Sequence, residues 1–455
     1  MSEKSDNNPE DFFNETYLRS YFSRKIQRKK GGGRDGLTPE NFIKRYSGEI
    51  ADIANRCLNG TYRFSPYKEK LMLKGKNKYP RVLSVPSMRD RLVLGVMNDY
   101  LQKEFPKQVN REVPNQYIRD TIDFLNANKV KNVFFFKSDF HDFFGSLLHK
   151  RLENILVDRI HNEKIVNLVM CAIKTPTWGE GCHEKENCVG VPQGLAISNI
   201  LSSIYMSDFD SYFNSSASSV AFYKRYVDDI LILDLKNLSE FKNKFISKIK
   251  EMGLGLELSK AKTKCGMIGS DDVDYIGYII HDKDIISIRH KNVQRFLNRI
   301  AKVISRFKVE YKNTTFRPLL INEDQHFINY YIEVLNEIIT GFKMDGHIYG
   351  WIAYFQAMTD VQLLYCLDRV IRHKFMKGLP EALKDFPAKI GKLPIVYWDI
   401  RKSSGKHYVC DFDKITKIDD IKAFLVRRRR IEPNSKYDDE QIRSIFNKYK
   451  EEEKR

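Results

Sequence analysis

The sequence predicts an α+β protein whose first part is rich in strands and whose remainder is helical. Short apolar runs, such as residues 133–136, alternate with amphipathic helical stretches as far as about residue 290. Beyond that point the apolar spacing becomes that of helices, with Val293, Phe296 and Ile300 on one face. A chain of 455 residues is also too long for one compact core, so we expect several lobes.

The composition favours a polyanionic partner. The formal net charge is +18, from 77 lysine and arginine residues against 59 aspartate and glutamate residues. Each phosphate that a basic surface neutralises releases bound counterions, so nucleic acid is a suitable partner. No apolar run is long enough to cross a bilayer, and the N-terminus is polar and acidic rather than signal-like. We therefore expect a cytoplasmic protein that does not bind membranes.

The cysteines do not predict disulfides. They are odd in number and scattered over the chain, whereas disulfide frameworks use even sets in short secreted domains. Cys182, His183 and Cys188 form the one close cluster of zinc-type ligands. Because no CxxC pair or second histidine completes the set, the pattern favours a surface loop with reduced thiols and leaves a metal site as the alternative.

The first elements of the predicted fold are a helix and a strand pair. Glycines near residue 33 indicate a linker, after which Thr38 and Pro39 are typical of a helix N-cap and first helical position. Gly60 should end this helix. Residues 68–73 and 81–85 then predict two strands joined by a polar turn.

The central strands of the prediction surround a group of acids. The wholly apolar run at 133–136 indicates a buried strand that delivers Asp139 at its end. Apolar runs at 221–225 and 230–235 flank the sequence Tyr-Val-Asp-Asp of residues 226–229, which is the pattern of a hairpin. Asp139, Asp228 and Asp229 should therefore meet at one edge of a sheet.

Three carboxylates at one point suit metal-dependent nucleotidyl transfer. Adjacent acids repel one another unless a cation lies between them. Mg²⁺ prefers carboxylate oxygens, and a pair of such ions activates a 3′ hydroxyl while neutralising a pyrophosphate leaving group. An Asp-Asp pair alone would equally suit a solvated hairpin tip, so the assignment depends on the neighbouring motifs.

The helical remainder carries basic side chains on one face. Four cations recur at helical steps and would lie opposite the apolar face: Arg295, Arg299, Lys302 and Arg306. A solvated face is the alternative, but their place directly after the strand-rich part favours contacts with phosphates. An arginine run at 427–430 suits contact with RNA and simple solvation equally.

Ordered motifs along the chain resemble those of reverse transcriptases. The Tyr-Val-Asp-Asp sequence resembles their polymerase signature, and the Lys-Ser-Asp-Phe-His-Asp-Phe-Phe sequence resembles their first palm motif. Asn199 departs from the second palm motif, where proline is commoner. The matching segments are 81–91, which is similar to the fingers motif of group II intron, retron and related bacterial enzymes, and 137–144, 190–199, 226–229, 258–263 and 275–278.

The resemblance covers roughly residues 30–370 and implies a right-hand polymerase. Its palm would contain an antiparallel sheet, its thumb would be helical, and a mostly helical extension would follow. The implied parts are an N-terminal extension (1–30), fingers (31–105), a palm with part of the fingers (106–290), a thumb (291–380) and a C-terminal extension (381–455).

The resemblance also implies roles for individual residues. Asp139, Asp228 and Asp229 would be catalytic and would ligate two Mg²⁺ ions, for which Mn²⁺ would substitute. Phe144 occupies the position of a steric gate that excludes a ribose 2′ hydroxyl. The other implied nucleotide-binding residues are Lys74 and Arg81 on the triphosphate, Gln193 and Gly194 at the template–nucleotide pair, and Lys262 at the departing pyrophosphate. The implied nucleic-acid contacts are Tyr275, Gly277 and Tyr278 at the primer end, and Arg295, Arg299, Lys302 and Arg306 in the thumb.

The implied activity is RNA-directed DNA synthesis, with an RNA template, a DNA primer or product and deoxynucleoside triphosphates as partners. The tail lacks the Cys/His cluster of a homing endonuclease, and Ile339-Thr340-Gly341 is a poor match to the retron signature. The resemblance therefore points to bacterial defence-associated or unassigned enzymes that copy a small structured RNA, with a retron or group II intron type as the alternative. Untemplated or protein-primed synthesis, and an inactive RNA-binding scaffold, are the remaining hypotheses. The sequence does not specify an oligomeric state.

Overall fold

A computed structural model describes residues 7–27, 32–73, 79–179, 186–313, 315, 324–375, 377, 386–402, 410–432, 434 and 436–453. The chain divides into two compact units, one of Met1–Arg111 with Val133–Gly266 and the other of Glu112–Asn132 with Met267–Arg455. Helices and sheets occur in both, which confirms the α+β prediction. Within the described residues, no helix has the length and apolar character that a membrane span requires.

The first unit contains most of the strands. Elements are numbered along the chain. Its helices are α1 (Glu15–Tyr21), α2 (Pro39–Tyr46), α3 (Ile50–Asn59), α4 (Met88–Glu104), α6 (His149–Arg159), α7 (Glu163–Lys174), α8 (Ser198–Tyr205), α9 (Ser207–Phe213) and α10 (Phe241–Glu251). Its strands are β1 (Tyr67–Met72), β2 (Arg81–Val85), β3 (Phe134–Asp139), β4 (Thr177–Trp178), β5 (Phe222–Tyr226), β6 (Asp229–Asp234) and β7 (Lys264–Met267).

The predicted central strand lies inside a sheet. In the described residues β3 lies between β6 and β7, in a sheet of order β5-β6-β3-β7. Phe135 and Phe136 are buried, as a wholly apolar strand requires. β1 and β2 form the predicted antiparallel pair, with Met72 opposite Arg81. The turn between them, residues 74–78, lies outside the described residues.

The predicted first helix begins as expected and is interrupted. The Thr38 hydroxyl accepts a hydrogen bond from the backbone N–H of Asn41, which is N-cap geometry. A 3₁₀ turn at Ser47–Glu49 separates α2 from α3. Gly60 ends α3 in the left-handed conformation, with φ of 72°. The single helix predicted from residue 38 is therefore two helices.

The N-terminal segment forms part of the core of the first unit. Phe13, Leu18 and Phe22 are fully or almost fully buried there. Tyr21 packs so closely on α4 that a Cβ placed on Gly95 would lie 2.4 Å from its ring. Apolar packing therefore anchors the N-terminal segment to the first unit. The division of the chain into fingers, palm and thumb stays a prediction.

The second unit is mainly helical. Its helices are α5 (Pro114–Ala127), α11 (His290–Lys312), α12 (Asp324–Thr340), α13 (Trp351–Tyr354), α14 (Val361–Arg369), α15 (Leu393–Arg401), α16 (Ile418–Arg427) and α17 (Asp439–Glu453). Its strands are β8 (Val273–Tyr275), β9 (Tyr278–Ile280), β10 (Ile286–Ile288), β11 (Phe342–Met344), β12 (His347–Tyr349) and β13 (Cys410–Asp411), in two small sheets of order β10-β9-β8 and β12-β11-β13.

Two arginines of the run at 427–430, which begins at the last residue of α16, are buried against acidic side chains. The Arg428 side chain is only 3% exposed and forms ion pairs with Glu333 and Glu337 of α12. Arg429 lies 3.5 Å from a Glu310 carboxylate oxygen and 3.9 Å from the centre of the Tyr330 ring. For these two arginines, the predictions of contact with RNA and of simple solvation are both wrong, because their side chains are buried against acidic partners distant in sequence.

Candidate active site

The strand register brings the predicted acids to one edge of the sheet. β3 and β6 are antiparallel, and Asp139 lies directly opposite Asp229. Tyr226 also pairs with Asp229, so β5 and β6 form a hairpin whose connecting turn is Val227 and Asp228. Val227 has a positive φ of 58°, as the tight turns of hairpins require. The aspartates therefore come from the end of β3 (Asp139), the hairpin turn (Asp228) and the first residue of β6 (Asp229).

The backbone around Asp139 is held on both sides. The N–H of Ser259 donates to the Asp139 carbonyl at 2.8 Å, and the N–H of Phe140 donates to the Asp228 carbonyl at 3.0 Å. The Ser138 hydroxyl lies 2.8 Å from the hydroxyl of Thr263. These bonds join the predicted first palm motif, the hairpin turn and the segment at 258–263 into one local structure.

Two lysines face the carboxylates. The Lys262 ammonium donates to Asp139 Oδ2 at 2.7 Å, from a side chain that is more than half exposed. Lys137, two residues before Asp139, forms an ion pair with Asp229 Oδ1, and its side chain is only 9% exposed. The sequence analysis did not identify Lys137, although residues two apart on a strand share one face.

The carboxylates are also desolvated. Burial is the main cause that raises the pKa of Asp229 to about 6. The charge and hydrogen bond of Lys137 oppose this rise, and the charges of Asp139 and Asp228 contribute to it. Burial and the charge of Asp139 raise the pKa of Asp228, against the opposing charges of Lys262 and Arg81. Carboxylates that are crowded and buried in this way are stabilised in their charged form by a nearby cation.

The three carboxylates are ligands of the kind that divalent metal ions such as Mg²⁺ prefer. Among the described residues, no three His, Cys, Asp or Glu side chains are gathered closely enough to form a ready-made site. Asp139 pairs with Lys262, and Asp229 pairs with Lys137. Oxygen ligands on adjoining backbone segments nevertheless fit Mg²⁺, provided that Lys262 releases Asp139 and that Asp229 uses the oxygen that does not contact Lys137.

One predicted nucleotide-binding residue, Gln193, lines a cleft of the first unit, and Gly194 follows it directly. The backbone N–H of Ser84 on β2 donates to the Gln193 carbonyl at 2.7 Å. Gly194 has a φ of 106°, and a Cβ there would lie 3.0 Å from the Ser84 carbonyl oxygen. A cleft of about 380 Å³ runs past these segments and is lined by residues that include Val82, Ser84, Asp142, Gly145, Gly190 and Gln193.

Arg81 and Phe144 each directly precede a residue that lines the cleft, Val82 and Gly145 respectively. Arg81, the first residue of β2, is exposed, and its charge acts on the pKa of Asp228. Phe144 is half-buried, with its ring 5.4 Å from that of the buried Phe143. Its carbonyl accepts a hydrogen bond of 2.7 Å from Val191. Lys74 lies outside the described residues.

The predicted primer-contacting residues belong to the second unit. Tyr275 and Tyr278 lie opposite one another across the β8–β9 hairpin, and both side chains are fully buried. The Tyr278 hydroxyl donates to the Tyr354 carbonyl at 2.6 Å. The turn residue Gly277 has a φ of 83°. A primer contact by these tyrosines would therefore have to come from the backbone of the hairpin, because the rings form part of the core.

The predicted thumb stripe lies on one helix. Val293, Phe296 and Ile300 of α11 are buried, as predicted. The four cations of the predicted stripe are all exposed. The most C-terminal of these four, Arg306, pairs with Glu310 one turn later at 2.6 Å. These four predicted cations are Arg295, Arg299, Lys302 and Arg306.

The predicted cysteine and histidine cluster is only partly described. Cys182 and His183 lie outside the described residues, and Cys188 is exposed. Metal binding at this loop therefore stays an alternative.

Comparison with known proteins identifies a domain. Residues 71–280 match the family model described as "Reverse transcriptase (RNA-dependent DNA polymerase)". The chain is 24% identical over 189 residues to "Protein YkfC" of Escherichia coli, which covers 40% of this chain and 49% of that protein. It is 22% identical over 321 residues to "Putative COX1/OXI3 intron 2 protein" of Saccharomyces cerevisiae, which covers 56% of this chain and 36% of that protein.

The chain thus spans about half or less of the length of these curated relatives. Among solved structures, a telomerase from Candida albicans in complex with a fragment of telomeric RNA aligns with a TM-score of 0.47 and 12% identity. That alignment covers 77% of this chain and 68% of the telomerase chain.

Proposed function

Because residues 71–280 form a reverse transcriptase domain, we propose that this chain is an RNA-directed DNA polymerase that adds deoxynucleotides to a 3′ hydroxyl. The observation that carries the proposal is the strand register. It sets Asp139 opposite Asp229 and leaves Asp228 in the adjoining turn. Carboxylates in this arrangement, inside a domain of this family, suit metal-dependent nucleotidyl transfer.

The three aspartates would hold two Mg²⁺ ions, with Mn²⁺ as a substitute. When bound, such ions lower the pKa of the attacking hydroxyl and neutralise the leaving group. Lys262 and Lys137 occupy the carboxylates in the arrangement described here. Lys262 is exposed enough to turn from Asp139 toward a departing pyrophosphate, and Lys137 would keep its contact with Asp229.

The neighbouring groups would bind the substrate. Arg81, with Lys74, would clamp the triphosphate, since guanidinium and ammonium groups pair strongly with phosphate oxygens. Gln193 and Gly194 would contact the template–nucleotide pair, where glycine allows the backbone to approach closely. The exposed cations of α11 would follow the phosphates of the duplex.

The biological part of the proposal concerns the template. We propose that the enzyme copies a small structured RNA in the cytoplasm, as the resemblance to bacterial defence-associated and unassigned enzymes implies. The net charge of +18 supports a polyanionic partner. RNA that copurifies with the chain, once sequenced, would identify the template and show whether it has a stable secondary structure.

The decisive experiment is primer extension on a generic RNA template with Mg²⁺ and deoxynucleotides. DNA complementary to the template is the expected product. Synthesis whose product ignores the template sequence would instead indicate untemplated extension. Absence of synthesis on generic template and on copurified RNA alike would contradict the proposal and favour an RNA-binding scaffold.

Substitution of Phe144 by alanine is expected to relax the choice of sugar. A ring at this place would exclude the ribose 2′ hydroxyl, so its removal should lower the preference for deoxynucleotides by roughly 10- to 100-fold in kcat/KM. Single-nucleotide incorporation with matched deoxy and ribo substrates measures the change. Phe143→Leu is the control, because Phe143 is buried against Phe140 and should affect stability rather than sugar choice. Unchanged selectivity in Phe144→Ala would assign the ring to the core.

A further inference from the structure

One buried guanidinium connects the turn that carries Asp228 to helix α9. Arg225 lies on β5, and its side chain is only 7% exposed. Its Nε donates to Asp210 Oδ1 of α9 at 2.8 Å, and its Nη2 donates to Oδ2 of the same carboxylate. Its Nη1 donates to the carbonyl oxygen of Val227 at 2.6 Å. The Tyr223 hydroxyl completes the group by donating to Asp210 at 2.6 Å.

The hydrogen bond to the Val227 carbonyl acts on the peptide that leads into Asp228. Val227 is β-branched and has a φ of 58°, a conformation that valine adopts only when its surroundings enforce it. The peptide that begins with this carbonyl ends with the nitrogen of Asp228, and a peptide unit is planar. Arg225 therefore fixes the plane from which the Asp228 carboxylate projects.

The next peptide of the turn is fixed from the other side. The N–H of Phe140, directly after Asp139, donates to the Asp228 carbonyl at 3.0 Å. Asp228 is thus held between two peptides, one bound by Arg225 and the other by the strand that ends at Asp139. The Phe140 bond ties Asp228 to Asp139, and the Arg225 bonds tie it to α9.

A lysine at position 225 could not form the same set of hydrogen bonds. Arginine offers several N–H donors in a planar fork, which here serves both oxygens of one carboxylate and a carbonyl on another side. An ammonium group on a flexible stem has no fixed fork and would keep only part of these bonds. The acidic partner also matters, because an unpaired guanidinium in a site this buried would be poorly solvated.

We propose that Arg225, oriented by Asp210, is a positioning residue that sets the Asp228 carboxylate for metal binding. The expected effect on catalysis rests on the proposed function. Metal binding by the aspartates can be measured separately. Arg225 would not touch the substrate. Its effect would pass through the Val227–Asp228 peptide.

The test compares Arg225→Lys with Arg151→Lys. Arg151 of α6 is a matched control in the same unit, since it also binds a main-chain carbonyl, that of Met252 at 3.0 Å, and a carboxylate of α9, that of Asp208 at 3.5 Å. We expect Arg225→Lys to lower kcat by about 10- to 100-fold with little change in the KM for deoxynucleotide, as small misplacements of reacting groups do. Its half-saturating Mg²⁺ concentration should rise, while Arg151→Lys should alter only thermal stability.

A direct titration of Mn²⁺ by electron paramagnetic resonance separates this inference from the proposed function. Weaker Mn²⁺ binding in Arg225→Lys than in wild type supports the positioning role even if the wild type makes no DNA. Unchanged Mn²⁺ affinity and unchanged kcat, with only a lower Tm, would overturn it. Should Arg225→Lys fail to fold, Asp210→Asn provides the same comparison, because it keeps the shape of the partner and removes its charge.

Discussion

Replacement of Asp228 by asparagine is expected to reduce template-directed DNA synthesis by roughly 10³-fold, which corresponds to about 4 kcal/mol of transition-state stabilisation. Asparagine keeps the size of the side chain but removes the negative charge that would hold a metal ion. The turn should persist, since the backbone bonds from Phe140 and Arg225 do not involve the carboxylate. Primer extension and circular dichroism on the same preparation measure activity and folding.

The matched control is Asp158→Asn, which makes the same chemical change at an exposed position on α6. It should leave both synthesis and the circular dichroism spectrum unchanged. Burial and the charge of Asp139 raise the pKa of Asp228, so removal of its charge should not destabilise the fold. Synthesis by Asp228→Asn within a few-fold of the wild type would show that another group supplies the essential charge.

The part of the site that could be predicted from the sequence is the part whose geometry depends on residues close together in the chain. An apolar strand that ends in an aspartate, and a hairpin with two adjacent aspartates, determine their own geometry through side-chain alternation and turn length. The register then needs only one strand pairing, between β3 and β6, to bring Asp139 opposite Asp229. This is why the edge of the sheet could be predicted without any knowledge of distant contacts.

The residues that the sequence analysis missed depend on partners elsewhere in the chain. Lys137 shares a strand face with Asp139, and that alternation was a usable signal. Arg225 gave no such signal, because its carboxylate partner, Asp210, lies on a helix that the sequence does not place. Tyr275 and Tyr278 show a different ambiguity, since an aromatic pair on a hairpin suits a buried core as well as a binding surface. The structure buries both rings, and their contact with a primer stays a prediction.

The arginine run at the end of α16 shows most clearly where sequence reasoning stops. Consecutive arginines usually indicate an exposed basic surface. Here the turn after the helix directs Arg428 and Arg429 toward acids of α11 and α12, which lie far earlier in the sequence. Only the folded structure shows that these positive charges are already neutralised.

Substitution of Glu337 by glutamine is therefore expected to destabilise the second unit by about 3 kcal/mol, toward the lower end of what breaking a buried ion pair costs. The change leaves the Arg428 guanidinium in a site where its side chain is only 3% exposed, with Glu333 at 3.5 Å as the remaining partner. Urea unfolding followed by circular dichroism measures the loss in the free energy of unfolding.

The matched control in the same unit is Asp284→Asn, which breaks an exposed ion pair with Lys129 at 2.6 Å. Water screens that pair, so its loss should cost less than about 1 kcal/mol. Replacing both buried partners, as in Glu337→Gln with Arg428→Met, should recover much of the stability, because no uncompensated charge then remains in the interior. Equal losses for Glu337→Gln and Asp284→Asn would mean that Arg428 finds water or another acid, and that the run is free to bind a polyanion after all.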